Sequence, residues 1–336
     1  MTALIKFLKW SAWFTVTAVI MLALFETGGR LLLGPPASHM LTQAQHDIQT
    51  DFDVTYGIGP RGFRQTACDQ KPASAPKLAV IGDSFVFGQG VADGQDFVSK
   101  LSCAGWNARN LGSVGQDFLW YDMALTSFVD ADSQAVILVL YENDFPPPGW
   151  FDWPWRIKRG LYGSSHAVAM ARVVRRNVGN WLHHNEINTM TLDERLNNPL
   201  VVIRGGANFL DELAGPDQGE QARLDQAIRD FVQSAHKIAP LAKILLAVVP
   251  EAATLSAGHH DLYARLGQKV LPVLGQPSRF YAQAAQTCRS LAQCRFVDSY
   301  DAFKAGAGAE YFPHDFHWNA TGHALMASLL SQTLAR

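Results

Sequence analysis

From Lys77 onward, short apolar runs alternate with stretches of helical period. Leu78–Ile81, Ala108–Leu111, Ala135–Tyr141, Lys243–Val249 and Arg295–Val297 read as strands; Asp96–Cys103, Phe118–Phe128, Gln221–His236, Arg279–Leu291 and Ala320–Leu334 read as helices. Apolar strands separated by amphipathic helices predict an α/β fold, a parallel sheet covered by helices on both faces. In open sheets of this type functional groups gather at the carboxyl ends of the strands, where loops meet helix N-termini. Ser84, within IGDSFVFGQG, follows the first such strand.

The pattern lapses in three places. Trp10–Phe25 is an uncharged apolar run with Lys6 and Lys9 before it and Glu26 and Arg30 after it. At about 1.5 Å per residue it falls short of a roughly 30 Å hydrocarbon layer, but Ala3–Ile5 and snorkelling lysines extend it, so residues 1–33 are expected to form an uncleaved anchor. The competing readings are a cleaved signal peptide, for which no small-x-small site follows cleanly, and a buried helix of the folded body. The positive flank precedes the span, which keeps the N-terminus cytoplasmic and sends the remainder across, as in a single-pass protein of a bacterial inner membrane. Residues 34–76 mix Pro, Gly, Gln and Asp without sustained period and read as a tether and lead-in segment. The body is then 77–336, with an insertion at about 145–200 in which Trp150, Trp153 and Trp155 stand beside Arg156, Lys158, Arg159, Arg172, Arg175 and Arg176. That insertion reads either as a helical hairpin packing its aromatics on the sheet edge or as a lid whose tryptophans stack on sugar or touch the bilayer surface.

Composition narrows the function classes. With 336 residues, 48% of them hydrophobic, the chain can bury a sizeable core, and a net charge of −2 offers no basic field for nucleic acid. Cys68, Cys103, Cys288 and Cys294 suit an oxidising compartment and can pair in three ways. Cys288–Cys294 with Cys68–Cys103 is the first pairing to consider, against four buried thiols. Neither cysteine pair has metal-ligand spacing and no histidine lies at the right interval, so no zinc site is expected.

Is Ser84 a nucleophile or a helix cap? Ser and Asp are ordinary residues of a strand-to-helix turn, where their oxygens satisfy the first amide groups of the helix. The surrounding stretch lacks G-x-G-x-x-G, a Walker lysine and the G-x-S-x-G elbow, whose second glycine position holds Val86. What remains is Gly82-Asp83-Ser84. Asn110, Gly112 and Gly115 in NLGSVGQD form a turn after the second strand, and Asn143 in LYENDF ends the third with an amide able to donate to an oxyanion. In YFPHDFHWNATGH, Asp315 and His317 stand two apart on a stretch that Pro313 keeps non-helical, so an extended backbone points both the same way. His317 is therefore a better base than His314 or His323.

These four blocks in order, GDS, the glycine turn, END and D-x-H-W-N, resemble the SGNH or GDSL hydrolase superfamily from Lys77 to the C-terminus, the insertion apart. The resemblance implies a flavodoxin-like, three-layer α/β/α sandwich. Ser84 would attack an ester carbonyl, His317 take its proton and Asp315 orient the imidazole. The Ser84 and Gly115 backbone NH groups and the Asn143 amide would form the oxyanion hole, Gly115 being chosen over Gly112 because the family's glycine usually precedes a polar pair such as Gln116-Asp117. The implied activity is that of an extracytoplasmic serine esterase or deacylase acting on O-acyl groups, acetyl esters of an envelope glycan among them, with no cofactor and no metal. Phe85 stands in place of the motif's Leu, a change in packing. Glu142 replaces the glycine that commonly precedes the asparagine and is expected to crowd the acyl pocket or alter its charge. Asp315-Phe316-His317-Trp318 also resembles the D-x-H-W motif of polysaccharide O-acetyltransferases, which leaves open transfer of the acyl group to a sugar hydroxyl. A third reading is an idle module that binds glycan or scaffolds an envelope complex.

Overall fold

The computed structural model describes residues 2–32, 46–49, 51–59, 61–146, 148–171, 174–175, 218–265 and 272–336. It divides into two compact units, one of Met1–Leu41 with Trp153–His184, the other of Thr42–Asp152 with Asn185–Arg336. Much of the expected insertion, from 176 to 200, lies outside the described residues, as does 34–45 of the expected tether.

The smaller unit contains α1 (Thr2–Leu32) and, far along the chain, α5 (Trp153–Ser164). Within α1, Lys9–Leu32 is long and apolar enough to cross a membrane, and its described side chains are almost all exposed.

The larger unit opens with an antiparallel pair, β1 (His46–Ile48) and β2 (Asp53–Thr55). Its core is a sheet of β3 (Lys77–Gly82), β4 (Asn107–Gly112), β5 (Ala135–Leu140), β6 (Lys243–Val248) and β7 (Cys294–Val297), in the order β4-β3-β5-β6-β7. All four pairings are parallel, with Val80 opposite Asn110 on one side and Ile137 on the other. The β5 sequence Ala-Val-Ile-Leu-Val-Leu is buried at every position, as a central strand covered on both faces requires.

Helices α3 (Phe97–Cys103), α10 (Tyr300–Ala305) and α11 (Ala320–Ala335) pack together as one layer, and α4 (Phe118–Phe128), α6 (Gln218–Ile238) and α9 (Arg279–Arg289) as another. The result is the three-layer α/β/α sandwich. Polar residues start these helices where the chain leaves a strand: Asp96 accepts from Ser99 N, Asp117 from Leu119 N, Ser278 from Tyr281 N, and Asn319 from Thr321 N and Gly322 N. Both disulfides are closed, Cys68–Cys103 fastening the lead-in segment to the end of α3 and Cys288–Cys294 joining α9 to the edge strand β7.

Candidate active site

The strand order places the site. β3 lies between β4 and β5, so the loops leaving these three strands flank one another at their carboxyl ends, where an order of this kind reverses direction. Ser84 follows β3, Gly115 comes three residues after β4, and Asn143 three residues after β5.

Around Ser84 the turn is tightly determined. Gly82 is obligatory, since a Cβ there would lie 2.4 Å from Val86 Cγ2 and 2.7 Å from the Val139 carbonyl. The helix that follows, α2 (Ser84–Phe87), is a single turn capped by Asp83, whose carboxylate accepts from Phe85 N at 3.0 Å, and closed by Gly88 at φ 84°. Asp83 thus takes the capping role, and the Ser84 hydroxyl makes a different contact. Its Oγ lies 2.7 Å from His317 Nε2, and His317 Nδ1 lies 2.6 Å from Asp315 Oδ1. A carboxylate can only accept, so Nδ1 carries the proton and Nε2 presents its lone pair to the serine hydroxyl.

The Asp315–His317 geometry arises differently from the extended alternation expected. Residues 313–317 form consecutive bends, and Asp315 Oδ1 also accepts from the His317 backbone N at 2.8 Å. A local side-chain turn across two residues therefore brings the carboxylate to the ring. Ser84 and His317 are both buried, at 7% and 5% exposure. Burial alone opposes protonation of His317, but the Asp315 carboxylate, with Asp83 and Asp47 beyond it, outweighs burial and raises its pKa above the ordinary histidine value. The ring is walled by Phe316 at 4.4 Å and Phe85 at 4.9 Å, and Tyr141 stacks on Phe316 at 5.8 Å.

The other histidines are occupied elsewhere. His314 pairs with Asp51, Nδ1 to Oδ1 at 2.8 Å. His323 is buried against Phe97 and, through burial first and the Arg64 charge second, drops to a pKa of about 3. Gly112 is a packing glycine, since a Cβ would meet Phe87 N at 2.1 Å. Gly115, at φ 66°, has open space around the position a Cβ would take. Asn143 sits in a turn held by Asp144, which accepts from Tyr141 N and from the Tyr121 hydroxyl, each at 2.8 Å. Glu142 is buried and turned toward Glu251, with Ser278 beside it, and not into an open pocket. Burial raises both carboxyls, Glu142 to about 7 and Glu251 well above its ordinary value. Among the described residues none of their four oxygens makes a hydrogen bond within ordinary geometric limits.

Three contributions escaped sequence reasoning. Asp83 lies beside both Ser84 and His317, and burial lifts it to about 6 against the opposing Phe85 amide and His317 charge. Its position in GDS was the available signal. The lead-in segment is a second. Asp51 accepts from His314 N at 2.7 Å, Phe52 packs on Phe312 at 5.1 Å, Asp47 accepts from Gln89 Nε2 at 2.8 Å, and the Tyr56 hydroxyl accepts from Gly90 N at 2.9 Å. It therefore braces both the loop after Ser84 and the loop before His317. Buried Arg64 is the third, donating to the carbonyls of Phe87, Gly88 and Val91 and so gripping the exit of α2. No local pattern in residues 46–64 announces either role.

A buried hydroxyl, imidazole and carboxylate in series can generate an alkoxide-like nucleophile near neutral pH and return the proton to a leaving alcohol. The model of the family described as GDSL-like lipase/acylhydrolase matches residues 78–330. No curated protein matches the chain. Solved structures similar to it include an extracellular lipase from Streptomyces rimosus, 13% identical over 77% of this chain and 99% of that one, with a TM-score of 0.43. Another is a phospholipase A1 from Streptomyces albidoflavus, 11% identical over 77% and 99%, with a TM-score of 0.40. A carbohydrate esterase family 2 enzyme from Corynascus thermopiles (Myceliophthora fergusii) is 15% identical over 79% and 67%, with a TM-score of 0.40.

Proposed function

This chain belongs to the GDSL-like lipase/acylhydrolase family, a family of serine ester hydrolases, and with that as premise we propose that Ser84 is its nucleophile, His317 its base and Asp315 the residue that orients the base. The observation that carries the assignment is the unbroken series of contacts from Ser84 Oγ to His317 Nε2 at 2.7 Å and from His317 Nδ1 to Asp315 at 2.6 Å. His317 takes the hydroxyl proton as Oγ bonds to the ester carbonyl carbon. The tetrahedral oxyanion is received by the NH groups of Ser84 and Gly115 and by the Asn143 amide. His317 then protonates the departing alcohol, and water, activated by the same imidazole, releases the acid and restores Ser84.

The reading extends to place and substrate. α1 anchors the chain in a bilayer, and Lys6 and Lys9 put its N-terminus on the cytoplasmic side, so the folded body is extracytoplasmic. Two closed disulfides support an oxidising compartment. Aromatic walls close around a nucleophile of 7% exposure, which supports a short acyl group such as acetyl, carried on an envelope glycan or related ester. Trp318 gives the D-x-H-W motif a structural explanation: it is fully buried, edge-on to Phe85 at 5.0 Å and stacked on Phe303 at 5.1 Å, and so does not itself argue for acyl transfer.

The test is turnover of p-nitrophenyl acetate by wild type, Ser84→Ala and His317→Ala. Each substitution is expected to lower kcat by about 1,000-fold or more, since the parts of such a relay act as a unit. Rates equal to wild type would remove Ser84 from the chemistry. With an acetylated glycan and a second sugar as acceptor, free acetate as the product supports hydrolysis, and acetylated acceptor would assign the chain to transfer.

A further inference from the structure

We propose that α5 is an interfacial helix lying on the anionic surface of the bilayer that α1 crosses. The inference rests on the anchor reading of α1 and is independent of the chemistry at Ser84.

Two charged residues near the end of α1 seize the last residue of α5 and those that follow it. The Glu26 carboxylate accepts from His166 N at 2.8 Å, from Ala167 N at 3.0 Å and from the Ser165 hydroxyl, while Arg30 donates to the Ser164 carbonyl. Glu26 thus satisfies backbone amides at the start of the next helical turn, as a capping carboxylate does. Gly29 lets the two segments close, because a Cβ there would sit 2.7 Å from the fully buried His166 ring. The apolar run of α1 ends at Phe25, so Glu26 to Arg30 mark the level at which hydrocarbon gives way to headgroups. The C-terminal end of α5 is tied to that level.

The sequence of α5 suits the place. Trp153, Ile157 and Leu161, spaced i, i+4 and i+8, form one row and are 74%, 43% and 44% exposed. Trp155, Arg159 and Tyr162 lie on the opposite side and are partly buried. Arg156 and Lys158 flank the apolar row, and from Trp153 to Arg176 every charged residue is basic. An exposed Trp-Ile-Leu row bordered only by cations matches the boundary between acyl chains and anionic phospholipid headgroups. In water alone the same row would be an unfavourable surface.

The experiment places a nitroxide, one at a time, at Ile157→Cys, Leu161→Cys, Val16→Cys within α1, and Lys237→Cys on α6 as a water reference. The full chain is reconstituted in bilayers of phosphatidylcholine with phosphatidylglycerol, or of phosphatidylcholine alone. Collision with oxygen and with a polar nickel chelate then reports depth. Labels at 157 and 161 are expected to be oxygen-accessible and shielded from the chelate with phosphatidylglycerol, shallower without it, and shallower again when Arg156 and Lys158 are both changed to Glu. Chelate-accessible labels at 157 and 161 beside a lipid-buried 16 would overturn the proposal while leaving the anchor intact. Labels at 157 and 161 shielded from both reagents would overturn it in favour of a covering protein segment. A chelate-accessible label at 16 would overturn the anchor and the proposal together.

Discussion

The buried pair Glu142 and Glu251 makes a quantitative prediction about stability against pH. Burial lifts the Glu142 carboxyl from an ordinary value of 4.5 to about 7, so the folded chain holds a proton there that the unfolded chain has already released. The stabilisation is full below pH 4.5 and is lost as pH rises from 4.5 through 7, because in that window the native state binds more protons than the unfolded state. At roughly 1.4 kcal/mol per pKa unit, the shift amounts to about 3 kcal/mol. Glu251 is raised in the same direction, by burial first and by the Glu142 charge second. Tyr141, Tyr263 and Tyr311 are likewise raised and remain neutral. Glu142→Gln keeps the shape and removes the titration. Thermal unfolding by circular dichroism from pH 4.5 to 8.5 is expected to show equal Tm values at the acid end and a variant more stable by about 3 kcal/mol at the alkaline end, roughly 6–12 °C for a body of this size. Parallel Tm curves, or a variant less stable than wild type at pH 8, would refute the claim that Glu142 ionises inside the protein.

Asp315→Asn should lower kcat by about 10,000-fold, because the imidazole loses the carboxylate that selects its tautomer. With the pKa of His317 raised by that carboxylate, the acid limb of wild-type kcat/KM should have its midpoint above 6.5, activity rising as the base deprotonates, and the residual activity of Asp315→Asn should rise at lower pH. Reduction of the disulfides should lower Tm, the 35-residue Cys68–Cys103 loop accounting for about 4 kcal/mol and the 6-residue Cys288–Cys294 loop for about 2 in the chain-entropy treatment; Cys103→Ser and Cys294→Ser, followed by urea unfolding, apportion the two. Asp51→Ala removes both contacts to His314 and so loosens the loop that carries Asp315 and His317: kcat should fall several-fold with KM little changed, and a fall in Tm without any change in kcat would show the contact to be structural only.

The strands and helices of the sandwich were legible because each is a local pattern: an apolar run of strand length, or a helical stripe with a polar cap such as Asp96, Asp117, Ser278 or Asn319 in front of it. The blocks around Ser84, Asn143 and His317 were legible too, since each lies within a few residues of a strand end or helix start. The short pieces were not. α2, α7 (Ala252–Leu255) and α10 are too brief to establish a period, and the β1–β2 pair carries no alternation strong enough to separate it from a loop.

By itself, then, the sequence determined which side chains could do chemistry and which segments had to be buried. Both follow from residue type and spacing along a few turns of chain. Tertiary structure alone decided how those side chains are used, because proximity across hundreds of residues is not encoded in any window. Asp83 became the cap and released Ser84 to His317, 233 residues away. Glu142 turned inward to meet Glu251, and the segment from Asp47 to Arg64 became a brace for two site loops. Burial, hydrogen-bond partners and pKa are properties of the packed environment, and that environment exists only once the sheet has brought its strand ends together.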